Sequence, residues 1–123
     1  MSNLDLVYAD NIVYSLKHAS DYNFQKQTLL NPTGPYVWIF HEDYDAIYED
    51  NGLEVAWKKG KIVFSKEADA ALLDLAILML PLVKEQSKKN IPDRILVDMP
   101  EMDIIRQKAA FALKLVRKAM AKP

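Results

Sequence analysis

The densest cluster of ligand-type side chains is His41-Glu42-Asp43-Tyr44-Asp45, an imidazole and three carboxylates within five residues. Such a set could hold a divalent cation or exchange protons with a substrate. A zinc-protease helix has the same outline, with a second histidine where Asp45 stands, but there the ligands at i and i+4 must share one helix face. The surrounding residues predict a strand ending here, so a charged, solvated turn is the expectation and no metal is assigned. Residues 43–54 fail a calcium loop, because Ile47 and Tyr48 occupy the positions that require Asp or Asn and Gly. A magnesium nuclease places an acid-x-Lys unit on a strand. Glu54-Val55-Ala56 lacks that lysine, and Lys58 comes two residues late. The three glycines, Gly34, Gly52 and Gly60, are dispersed, so no phosphate-binding loop can form. With no cysteine, disulfides, thiolate metal sites and cysteine nucleophiles are excluded. His18 stands beside Lys17, with Asp21 its nearest acid, and reads as a surface histidine. No catalytic residue and no cofactor is assigned.

Charge is the stronger signal. Residues 1–56 hold nine acidic and two basic residues, net −7, and residues 57–123 hold fourteen basic and eight acidic, net +6. The overall −1 hides this polarity. Opposite fields on two surfaces select partners and speed their encounter. The acidic surface is expected from Glu42, Asp43, Asp45, Glu49, Asp50 and Glu54, interleaved with Tyr44, Tyr48 and Trp57. Among its aromatics, Tyr48 and Trp57 are the candidate anchors for a partner. A secondary basic face is expected from Arg106, Lys114, Arg117 and Lys118 on the last helix, with Ile104 and Phe111 at its edge. Only Phe111 is aromatic there and the isoelectric point is near 6.1, so nucleic acid is disfavoured as a ligand.

The elements that must carry these residues read as follows. A chain of 123 residues predicts one domain, 1–123. Tyr36-Val37-Trp38-Ile39-Phe40, Asp45-Ala46-Ile47-Tyr48-Glu49, Leu53-Glu54-Val55-Ala56-Trp57 and Lys61-Ile62-Val63-Phe64 are short, aromatic or β-branched, and bounded by turns at Asn31-Pro32-Thr33-Gly34-Pro35, Asn51-Gly52 and Gly60. They predict an antiparallel sheet of three to five strands centred on 36–64. Ser65 offers an N-cap to a helix over 66–82, with Glu67 and Asp69 in its first turn where the helix dipole favours acids. Apolar nearly all round, it predicts a buried central helix, ended or kinked by Pro81. Ile95-Leu96-Val97 reads as a short buried strand. Pro100 opens an amphipathic helix over 101–121. Part of 2–30 leans to helix. The fold class expected is therefore α+β, the sheet packed by the two helices.

The apolar stretch 70–83 is shorter than a membrane span and contains Asp74 and Pro81. The first five residues lack the basic and apolar regions of a cleaved leader. A cytoplasmic protein without membrane contact is expected. Its expected function is a non-enzymatic interaction module of inhibitor, immunity or regulatory-adaptor type, binding a basic protein partner through the acidic face. A homodimer is a further possibility, since the two fields are self-complementary. The alternative function is a metal-dependent hydrolase or nuclease using His41 and its neighbouring carboxylates.

Overall fold

The computed structural model describes residues 3–121, and every regular element among them is helical. The helices are α1 (Ala9–Ala19), α2 (Tyr22–Leu30), α3 (Phe40–Tyr44), α4 (Leu53–Lys58), α5 (Lys66–Lys89), α6 (Asp93–Leu96) and α7 (Pro100–Met120). A short 3-10 turn, Asn3–Leu6, precedes α1, and a wide π turn, Asp45–Glu49, continues α3. The expected α+β fold is overturned: no strand occurs among the described residues, and the chain is a helical bundle.

The correction has one physical cause, repeated three times. In a five-residue window, periods of 2 and 3.6 are hard to tell apart. Leu53, Val55 and Trp57 alternate as a strand would, but Leu53, Ala56 and Trp57 are equally a helical i, i+3, i+4 face. The helix wins: Leu53 and Ala56 are buried and Val55 is exposed. Across 40–48, Phe40, Ile47 and Tyr48 are buried at helical spacing, with Tyr44 half-buried between them. The third case is 94–99, where Asp93–Leu96 forms a helical turn that buries Leu96. Residues 36–39 and 61–64, expected as strands, belong to no regular element and pair with no strand. The Trp38 amide instead donates to Thr28 Oγ1 at 3.0 Å.

The two long helices fall near their expected limits. Ser65 caps α5, its hydroxyl accepting from the Ala68 amide at 3.0 Å. Pro81 does not end this helix, which runs on to Lys89 and closes at Asn90 in the left-handed conformation. Helix α7 starts at Pro100, with Glu101 and Asp103 in its first turn and Arg117 and Lys118 in its last. The two run antiparallel: residues 65–67 of α5 lie beside 115–119 of α7, and 78–85 beside 101–105. Leu72, Leu75 and Met79 of α5 meet Met102, Ile105 and Ala109 of α7 in the core, which α1 extends with Ile12 and Leu16.

Gly52 is the hinge between the π turn and α4. Its φ is +94°, and a Cβ there would come within 2.7 Å of the Leu6 carbonyl oxygen, so only glycine fits. Asn51 beside it donates to the Ala46 carbonyl at 2.7 Å and accepts from the Asn11 side chain at 3.0 Å. The turn expected at Asn51-Gly52 is present, but it joins two helices instead of two strands.

Candidate partner-binding groove

The segment 44–57 lies against α5 and leaves a groove between them. Tyr44, Tyr48 and Trp57 line one wall, and Leu73, Ile77 and Leu80 of α5 line the other. The volume is about 560 Å³. The aromatics form a ladder, with ring centroids 4.9 Å apart between Tyr44 and Tyr48 and 6.2 Å apart between Tyr48 and Trp57. Two hydrogen bonds hold that ladder in place. The Tyr48 hydroxyl donates to the Leu72 carbonyl, seating the π turn on α5. The Trp57 indole N–H donates to Asp69 Oδ2 at 3.0 Å. Asp69 also accepts from the Val63 and Phe64 amides at 2.8 and 3.0 Å, so this one carboxylate fastens the 57–64 connection to the first turn of α5.

The rim is acidic. Asp45, Glu49 and Glu54 surround Tyr44: burial raises its phenol, and these three charges raise it further. The Glu49 carboxyl is also raised, first by desolvation and then by Asp45, Glu54 and Asp50. Glu54 has one compensating cation, Lys58 at 2.9 Å. Lys84 sits at the far end of the groove, and beyond it lies a polar hollow of about 550 Å³ lined by His41, Asp45, Gln86 and Asn90.

The sequence-predicted residues divide three ways. Asp45, Glu49, Asp50, Glu54 and Trp57 come together at the groove or its rim. Glu42 is exposed on α3 and does not line the groove. Asp43 and Tyr48 are buried, so neither is a free surface group. Tyr48 contributes its ring to the groove wall, and Asp43 accepts from the Trp38 indole N–H at 2.6 Å. On the basic face, Lys114, Arg117 and Lys118 are exposed, but Arg106 is buried. Its guanidinium donates to Gln25 Oε1 at 3.1 Å, to the Val97 carbonyl at 3.0 Å and to Asp103 at 2.7 Å, and lies over the Tyr22 ring. That arginine joins α2, α6 and α7 and is structural. His18 is buried as well, stacked on Phe24 with ring centroids 4.0 Å apart.

The groove residues of the α5 wall that sequence reasoning missed are Leu73, Ile77 and Leu80. A helix apolar on every side predicts full burial, yet Ile77 is 62% exposed. Positions 73, 77, 80 and 84 share one face of the helix and Leu75 and Met79 lie opposite, but where every face is apolar that spacing does not tell which one stays exposed. The metal-hydrolase alternative gains nothing from the geometry: His41 Nδ1 has Asp45 at 3.4 Å, and among the described residues no group of three or more metal-binding side chains is gathered. Nor, among the described residues, is any helix long and apolar enough to cross a membrane. Comparison with family models, with curated proteins and with solved structures finds no match to this chain.

Proposed function

We propose that this protein is a non-enzymatic interaction module that takes a basic amphipathic helix of a protein partner into the groove beside α5, as an inhibitor, immunity protein or regulatory adaptor would. The observation that carries the reading is an apolar, aromatic-walled groove bordered along its 45–54 side by a cluster of acids. Leu73 to Lys84 spans three turns of α5, roughly 16 Å at 1.5 Å per residue, which accommodates the roughly 10 Å between the first and last anchors of a docked helix at i, i+3 or i+4 and i+7. Asp45, Glu49, Asp50 and Glu54 then face the lysines and arginines flanking such anchors. At the polar end, Asp45 and the carbonyl end of α5 suit one more cation. A cytoplasmic site of action is consistent with a chain free of cysteine.

Two synthetic helical peptides test this, sharing a leucine stripe but flanked in one by lysine and in the other by glutamate. Trp57 lines the groove and Trp38 is buried, so indole fluorescence reports the docking. The lysine peptide should bind, and added salt should weaken it. The glutamate peptide should not bind, and Ile77→Glu should abolish binding of the lysine peptide. Equal binding of the two peptides, or unchanged binding to Ile77→Glu, defeats the proposal.

A further inference from the structure

A second apolar surface lies on the other flank of α5, along its seam with α7. Leu78 and Pro81 meet Ile104 around a hollow of about 160 Å³ that Glu85 and Glu101 flank. Two turns along α7, Phe111 continues the stripe. Ile104 is 51% exposed and Phe111 55% exposed. A bulky aromatic and an isoleucine left in water on one stripe of a surface helix mark an interface more often than scattered single residues do.

The charges on this face identify what covers it. The charges bordering this seam differ from end to end: Lys66, Glu67 and Lys118 line a hollow at one end, and Glu85 and Glu101 flank the hollow at the other. The end near Lys118 is therefore basic on balance and the end near Glu101 acidic. We infer that a second copy of this chain docks here, forming a two-fold dimer through the α5–α7 face. A two-fold axis lying in the face has two directions aligned with the helices. An axis across them sets α5 antiparallel on its counterpart, acidic end over basic end. An axis along them would set like ends together. The axis across the helices therefore puts unlike charges together, which favours an isologous interface. The groove rim, by contrast, is mostly acidic and would oppose a copy of itself. The dimer does not depend on the groove reading, since Pro81 is the one residue that borders both surfaces.

Sedimentation velocity across the micromolar range tests the inference on the intact chain. The expected species has twice the 14.1 kDa chain mass. Ile104→Glu and Phe111→Glu replace exposed side chains, so helical circular dichroism should be unchanged while the dimer dissociation constant rises about tenfold or more. The Lys114→Glu, Lys118→Glu double variant should weaken the dimer at low salt and converge on the parent as salt rises. A mass of 14.1 kDa at every concentration overturns the inference. So does a dimer whose dissociation constant neither Ile104→Glu nor Phe111→Glu changes.

Discussion

Two buried titratable groups tie the stability of this fold to pH, with opposite signs. Asp43 lies in the core beside Trp38, and its carboxyl is pushed up to about 7, chiefly by desolvation, although the indole hydrogen bond works the other way. In the unfolded chain the same group titrates near 3.8. Between these values the folded state holds a proton that the unfolded state has lost. Stability therefore falls as pH rises from about 4 to about 7, and levels off above. His18 acts at the other side. Burial lowers its imidazole, with Lys17 adding to the effect, so the unfolded chain takes up the proton first and stability falls as pH drops below 6.5. Its ring sits among Tyr14, Phe24 and Tyr36, and Nδ1 has no hydrogen-bond partner among the described residues. Asp43→Asn keeps a carbonyl oxygen for the Trp38 indole and removes the ionisation. Urea denaturation at a series of pH values should show the variant gaining stability relative to the parent as pH rises from 4 to 7. The gain should reach a few kcal/mol, since each tenfold difference in proton affinity between the folded and unfolded chain is equivalent to about 1.4 kcal/mol. Parallel pH profiles for the two proteins would show that Asp43 is ionised without penalty.

At the scale of elements, Asp69 matters most to the groove, because it positions Trp57 and the start of α5 together. It accepts two backbone amides and one indole N–H. Hydrogen bonds to a charged acceptor contribute about 1.5–3 kcal/mol each, and removing the acceptor strands its buried donors. Asp69→Ala should cost about 2–4 kcal/mol in a denaturant titration and shift Trp57 emission to the red as the groove wall loosens. A stable variant with unshifted emission would mean that apolar packing alone holds the wall. The sequence showed Asp69 only as a first-turn acid favoured by the helix dipole, because its amide partners lie before the helix, in a stretch that read as a strand. The long helices were legible for a different reason. Over twenty residues, Ser65 as cap, Pro100 at the first helical position and the 3.6 period reinforce one another. The short elements offer no such averaging. Asn51-Gly52 signals a sharp reversal in either a hairpin or a helix pair, and residues 45–49 form a π turn whose spacing matches no standard period. Of the site, the acids of 45–54 and Trp57 were legible because their signal is composition. The α5 wall was not, because which side of an all-round apolar helix stays exposed is settled by its neighbours.

For the whole molecule, the charge split of the chain becomes two surfaces with different consequences. The 1–56 half gives the groove a mostly acidic rim, while the basic residues of the second half are spread along α5 and α7 in alternation with acids. An excess of one sign acts at long range and steers encounter, and a mixed face acts on contact and sets register. Reversing Asp45, Glu49 and Asp50 to lysine tests that distinction in a single protein. Glu49 and Asp50 are exposed and Asp45 is half-exposed, so the fold should change by no more than about 0.5 kcal/mol per site. Relief of the mutual repulsion that raises Glu49 should offset part of that. Stopped-flow association of the lysine-flanked peptide should slow by at least about tenfold at low salt, and its salt dependence should invert, since the rim now repels the peptide and screening helps it approach. The dissociation rate should change far less, because the aromatic wall and Ile77 are untouched. The dimer should persist, because none of the three residues lies on the α5–α7 face. An association rate and salt slope equal to the parent's would leave the acids as a solvated border, and the groove would then have to choose its partner by shape alone.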